Sequence, residues 1–127
     1  MRELPYRRLQ VWRRAQDLAE RILILSEQPP ISRQRYFRWQ MCNAAMSVPA
    51  NIAEGNGRST PLDYASFLDR AYGSLGELDT WLDMAERRGW VNLEKAALLR
   101  DEIVQIAAML NALRNKIRDQ RDLRSRR

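Results

Sequence analysis

The apolar residues of this chain recur at helical spacing over long stretches, and that periodicity constrains the fold more than anything else in the sequence. Ala96, Leu99, Ile103, Ile106, Leu110, Leu113 and Ile117 alternate steps of three and four, and Tyr64, Leu68, Ala71, Leu75, Leu78, Leu82 and Ala85 do the same. A strand cannot use such a pattern. Two earlier segments share it: Val11, Trp12, Ala15, Leu18, Ala19, Ile22 and Leu25 line one side of the first, and Phe37, Met41, Ala44, Val48 and Ile52 line one side of the second.

Punctuation separates the four segments. Pro29-Pro30 ends any helix begun near Leu9, because neither proline donates a backbone hydrogen bond and the first restricts Gln28. Gly55-Asn56-Gly57 marks a turn. Thr60-Pro61-Leu62-Asp63 supplies an N-cap, a first-turn proline and an acid at the positive helix end. Gly89 follows Glu86-Arg87-Arg88 as a stop, and Asn92 caps a fresh start. The reading is a single all-α domain over 1–127, with helices at about 9–28, 33–55, 61–88 and 93–120 and a basic tail at 118–127. Short connections make sequential helices antiparallel neighbours, in an up-down-up-down four-helix bundle.

Charge is distributed unevenly. There are 22 basic and 16 acidic side chains, a formal charge of +6, and only Lys95 and Lys116 among the basic residues are lysines. Arginine presents a rigid fork of donors suited to phosphate and carboxylate. Residues 1–40 carry nine basic and four acidic groups, 41–113 six and ten, and 114–127 seven and two, so two basic arms flank an acidic middle. An antiparallel bundle brings those arms to one pole. Arg7, Arg8, Arg13, Arg14, Arg114, Lys116, Arg118, Arg121 and Arg124 are the candidate phosphate-binding residues there, and a polyanion would relieve their mutual repulsion. A solvated charged face is the plainer alternative. Neither a sheet-type aromatic–basic alternation nor a helix-turn-helix signature is visible, so contact with RNA or DNA would be to the backbone rather than the bases.

With no histidine and a single cysteine, Cys42, the sequence excludes His-based catalysis, Cys/His metal clusters and an intrachain disulfide, and no metal or cofactor is expected. No segment is long and apolar enough for a membrane span, and Met1-Arg2-Glu3-Leu4-Pro5 lacks the apolar run of a signal peptide; a soluble cytoplasmic protein is expected.

Three further features call for an explanation. Trp81 and Tyr72 flank the apolar line of the third helix and Trp39 flanks that of the second, which marks them as candidate oligomer or partner contacts, or as rings closing the edges of the bundle. Gly73 and Gly76 lie inside the third helix, where close approach of a neighbouring helix, in this subunit or another, would justify them; Asp79, Asp83 and Glu86 on that helix face solvent or arginines of a second copy. Finally, Ser47-Val48-Pro49-Ala50-Asn51-Ile52-Ala53-Glu54-Gly55 places a proline where the helix should kink or restart, then a glycine cap, with Asn51 and Glu54 three apart and Glu54 bonded to backbone or Arg58. Glu54 could serve as a base, but Ser47 has no histidine to activate it, so no enzymatic activity is expected.

Tyr6-x-x-Leu9-x-Val11-Trp12, the Ser47 to Arg58 block with Pro49, Asn51, Glu54, Gly55 and Gly57, and Phe67-Leu68 leading to Gly73-Ser74-Leu75-x-Glu77-Leu78 together carry a resemblance. From about Tyr6 to Val91 the chain resembles the four-helix-bundle proteins encoded in intervening sequences of bacterial large-subunit ribosomal RNA genes. That family is similar in turn to the accessory variability determinant of diversity-generating retroelements, a basic, barrel-like homopentamer that binds nucleic acid and a reverse transcriptase. The resemblance implies a non-enzymatic bundle assembled as a homo-oligomeric ring, with nucleic acid, its own copies and a reverse transcriptase as partners. The alternative it leaves open is a ring-forming protein-interaction module with no direct nucleic-acid role.

Overall fold

The computed structural model describes the backbone of residues 2–125 and the side chains of residues 2–120. Four helices make the domain: α1 (Gln10–Ser26), α2 (Arg35–Asn56), α3 (Pro61–Arg87) and α4 (Leu93–Ser125), with 3₁₀ turns at Pro5–Arg8 and Ile31–Arg33. No strand occurs among the described residues.

Side-chain contacts fix the register as antiparallel at every seam. Arg38 on α2 reaches Ser26 at the end of α1, and the Ser47 hydroxyl meets that of Ser74 at 2.6 Å between α2 and α3. Between α3 and α4, Glu86 pairs with Arg100 near one end and Asp69 with Arg114 near the other. Arg14 of α1 crosses to Glu102 on α4. The stripes read from the sequence converge on one core, in which Ile22, Met41, Ile52, Leu78, Leu82 and Ile106 are fully buried. Burial of these stripes, rather than helix propensity, holds the helices in place.

Helix ends follow local chemistry. The Thr60 hydroxyl accepts from the Asp63 amide, and the Asn92 side chain accepts from the Lys95 amide at 2.7 Å. Gly89 adopts φ +73°, with the Trp90 amide donating to the Ala85 carbonyl and the Gly89 amide to that of Glu86. That pairing is a Schellman stop, and it swings Trp90 back onto Phe37.

Three boundaries differ from the sequence reading. α1 stops at Ser26 and α2 begins at Arg35, because the residues around Pro29-Pro30 form a 3₁₀ turn that plugs Ile31 into the core. α2 runs unbroken through Pro49. One missing backbone amide does not stop a helix whose neighbouring turns are held otherwise: the side-chain Nδ2 of Asn51 donates to the Ser47 carbonyl and hydroxyl, and Ser47 is tied to α3. The segment 118–127 is not a separate tail as far as it is described, since α4 continues to Ser125; Arg126 and Arg127 lie outside the described residues.

Candidate nucleic-acid interface

The end of α2, the start of α3 and the later part of α4 meet at one pole, where Arg58, Thr60 and Tyr64 from the α2–α3 corner share a notch with Ile117 and Gln120. The antiparallel α1 starts toward the same end, with Arg14 against Glu102, Gln105 and Met109 of α4. The 3₁₀ turn Pro5–Arg8 packs on α1 and α2. Among the residues whose side chains are described, segments 2–14, 50–70 and 109–120, toward this end, hold ten basic and five acidic residues, whereas the remainder holds eight and ten. Among the described side chains the net positive charge therefore lies toward one end of the bundle.

The candidate arginines there are not equivalent. Arg14 is committed internally: its guanidinium donates to both oxygens of Glu102 at 2.9 and 3.0 Å and also bonds Gln105. The hydrogen bond to Glu102 raises its pKa. Arg114 donates to Asp69 at 2.7 Å, and Arg118 lies 3.6 Å from the other oxygen of the same carboxylate. Arg14 is neutralised by the bundle itself, whereas Arg114 and Arg118 share one carboxylate and keep one net positive charge between them. Arg7 lies over the Trp12 ring at 5.5 Å, its carbonyl accepts from the Arg13 side chain, and Arg8 has only a loose 3.9 Å contact with Glu3. Arg7, Arg8, Arg13 and Lys116 are exposed, and Arg13 and Lys116 have no carboxylate partner among the described residues. The side chains of Arg121 and Arg124 lie outside the described residues.

A cluster that the sequence reading did not single out as a binding site lies at the α2–α3 corner, where Arg58 shares the notch with Ile117 and Gln120. Phe67 is buried at the α2–α3 crossing, and the guanidinium carbons of Arg58 and Arg70 each lie 4.6 Å from its ring centroid. The three-residue step from Phe67 to Arg70 on a helix signals half of this arrangement. The approach of Arg58 depends on tertiary packing.

The aromatic candidates also divide. Trp39 is 62% exposed and Tyr72 42% exposed, but Trp81 is half-buried against the core, edge-on to Phe37 with centroids 6.0 Å apart. Trp81 closes an edge of the bundle. Its indole nitrogen is buried without a partner. Around Trp39, α2 carries no charged residue from 39 to 53, and Met46 and Ala50 continue the exposed side. On the other side of the molecule, Tyr72, Gly76, Val104 and Ala108 line a groove of about 450 Å³ between α3 and α4. Nothing within the subunit comes within 4 Å of a side chain built at Gly73 or Gly76, so neither glycine serves a close approach inside the chain.

The close approach occurs at Gly55 instead. A Cβ there would lie 2.7 Å from the Phe67 Cβ, which identifies Gly55 as the crossing point of α2 and α3 rather than a cap. Glu54 pairs with Arg58 at 3.2 Å, and Asn51 faces Ser47, so the two motif residues engage different partners. Asp79, Asp83 and Glu86 are engaged within the chain, by Arg100 and Arg87. Among the described residues no three His, Cys, Asp or Glu side chains gather where they could hold a metal ion, and no helix is long and apolar enough to cross a membrane.

The family model of the 23S rRNA-intervening sequence protein matches residues 7–112, a span that takes in all of α1 to α3 and most of α4. The chain belongs to the 23S rRNA-intervening sequence protein family. A solved structure supports the same fold for this family member: a protein of unknown function from the S23 ribosomal protein family of Bacteroides thetaiotaomicron VPI-5482 is similar with a TM-score of 0.73 at 19% identity, over 82% of this chain and 97% of that one. No curated protein matches the chain. These likenesses reach the intervening-sequence part of the resemblance and not the retroelement part.

Proposed function

We propose that this intervening-sequence protein is a non-catalytic, self-assembling factor whose basic pole binds the phosphates of RNA or DNA. The charge asymmetry carries the reading: among the described side chains, one end of the bundle holds five more basic than acidic residues while the rest holds two fewer. Such a surface releases condensed counterions when a polyanion covers it. Arg7, Arg8, Arg13 and Lys116 are the described residues available for that contact, with Arg121 and Arg124 continuing the run on α4. Arg14 is committed to Glu102, whereas Arg114 and Arg118 share Asp69 and bring one net positive charge to the same contact. Binding of labelled RNA and DNA oligonucleotides, followed by fluorescence anisotropy across a salt series, should weaken steeply with salt, and Arg13→Gln with Lys116→Gln should flatten the slope. Arg87→Gln, at the other end, should not. Salt-independent binding, or none, overturns the reading.

A second observation supports self-association, with or without nucleic acid. The uncharged side of α2 and the α3–α4 groove are different surfaces, and docking one in the other is a head-to-tail contact that closes into a ring when the rotation permits. Five subunits is what the resemblance implies. A monomeric mass in solution overturns the ring, and loss of assembly in Trp39→Glu with nucleic-acid binding retained separates the two surfaces. A reverse-transcriptase partner rests on the resemblance alone. A reverse-transcriptase gene and template repeat beside the gene for this chain would support it, and a location within ribosomal RNA genes would count against it.

A further inference from the structure

Two cations share one ring at the α2–α3 corner. Each guanidinium carbon lies 4.6 Å from the Phe67 centroid, so the two charges can be no further apart than twice that distance. Arg70 has no carboxylate partner among the described residues, and Arg58 has one, Glu54, in a largely exposed pair. The trio of charged groups therefore keeps one net positive charge, and the two cations repel each other unless an anion joins them.

We propose that Arg58 and Arg70, stacked on Phe67, form a two-pronged clamp for a phosphodiester group of a nucleic-acid strand. The proposal rests on the reading of this pole as a nucleic-acid surface and names a contact within it. Stacking on an aromatic face occupies the flat side of a guanidinium and leaves the N–H groups at its edge free to donate, in the geometry that matches phosphate oxygens. Fixing the two side chains before the ligand arrives lowers the entropic cost of ordering them on binding. The platform is itself rigid: Phe67 is 7% exposed and abuts Gly55 so closely that any larger residue there would displace it.

Three variants of the full chain test this with a labelled single-stranded RNA oligonucleotide, read by anisotropy across a salt series. Arg58→Gln with Arg70→Gln should weaken binding on the order of tenfold, and the dependence of log affinity on log salt should fall by about 0.7 for each single-strand phosphate that the variant no longer neutralises. Phe67→Leu keeps both charges. It should leave the salt slope unchanged and still weaken binding several-fold, because the guanidiniums lose their platform. Glu54→Gln releases Arg58 from its carboxylate and should strengthen binding. Circular dichroism and solution mass establish that each variant folds and assembles as the wild type does. If the double variant binds like the wild type while Arg13→Gln with Lys116→Gln binds weakly, the clamp is refuted and the basic pole stands. If the wild type does not bind RNA, both fall. A Phe67→Leu protein that melts earlier but binds RNA unchanged assigns the stack to stability alone and overturns the clamp.

Discussion

Replacing glycine by alanine at two positions of this bundle, one buried and one exposed, should change stability in opposite directions. In an exposed helix interior the exchange stabilises by about 1 kcal/mol, because alanine loses less backbone entropy. Gly76 meets that condition: it is exposed on α3 with nothing within 4 Å of a new Cβ. At Gly55 the same Cβ would lie 2.7 Å from the Phe67 Cβ and 3.2 Å from the Tyr64 carbonyl oxygen. Those atoms ride on the α3 backbone, so no side-chain rotation relieves the clash and the two helices must separate. Overpacking of this kind costs about 1–3 kcal/mol, which exceeds or cancels the propensity gain. Gly76→Ala should therefore be more stable than the wild type, Gly55→Ala less stable, and the two should differ by roughly 2 kcal/mol in urea unfolding followed by tryptophan fluorescence. A Gly55→Ala protein more stable than the wild type would refute the close crossing of α2 and α3. Repeating the series at several protein concentrations adds a control, since a second copy seated in the α3–α4 groove would turn the Gly76→Ala gain into a loss that grows with assembly.

Three other substitutions bear on the packing of the bundle. Burial raises the pKa of the Tyr64 hydroxyl above its ordinary 10.0, against a smaller opposing effect of the hydrogen bond from Asn56. The folded state thus keeps this proton after the unfolded state has lost it, so stability is unaffected below pH 10 and declines as pH rises through the folded value; Tyr64→Phe should remove that part of the decline in urea melts from about pH 7 to 11. Glu102→Gln leaves the guanidinium of Arg14 half-buried without its anion, and equilibrium unfolding should report a loss of about 1–2 kcal/mol. Trp81→Ala should cost about 2–4 kcal/mol, whereas Trp81→Phe should cost much less, because it also deletes a buried N–H that has no partner.

The sequence made the helices legible because burial and capping leave marks on neighbouring residues. The stripes on α3 and α4, the Thr60 and Asn92 caps and the Gly89 stop are local patterns, and each appears in the structure where its residues stand. What was not legible depends on residues far apart in the chain. Gly55 and Gly76 look alike in sequence, and only the path of α3 makes one a crossing point and leaves the other open. Arg14 and Arg13 are adjacent arginines on α1, yet the turn between them points one at Glu102 and the other away from it. A count of basic residues overstates the charge available for binding for that reason.

The remaining charge constrains how the molecule can assemble. A two-fold dimer built on like surfaces places the two basic poles according to one rotation, whereas a head-to-tail ring repeats a single subunit orientation around its axis. With that axis along the helices, every basic pole would lie on the same rim, and the rim would present a charge multiplied by the number of subunits to a nucleic-acid strand. The two proposed interactions then respond oppositely to salt. Screening removes the repulsion between poles and leaves an apolar contact around Trp39 and Tyr72 intact, so assembly should strengthen as salt is raised. Phosphate binding should weaken over the same range. Sedimentation and anisotropy measured on one salt series separate the two directly. Assembly that weakens with salt in parallel with RNA binding would place ion pairs, rather than the uncharged side of α2, at the contact between subunits.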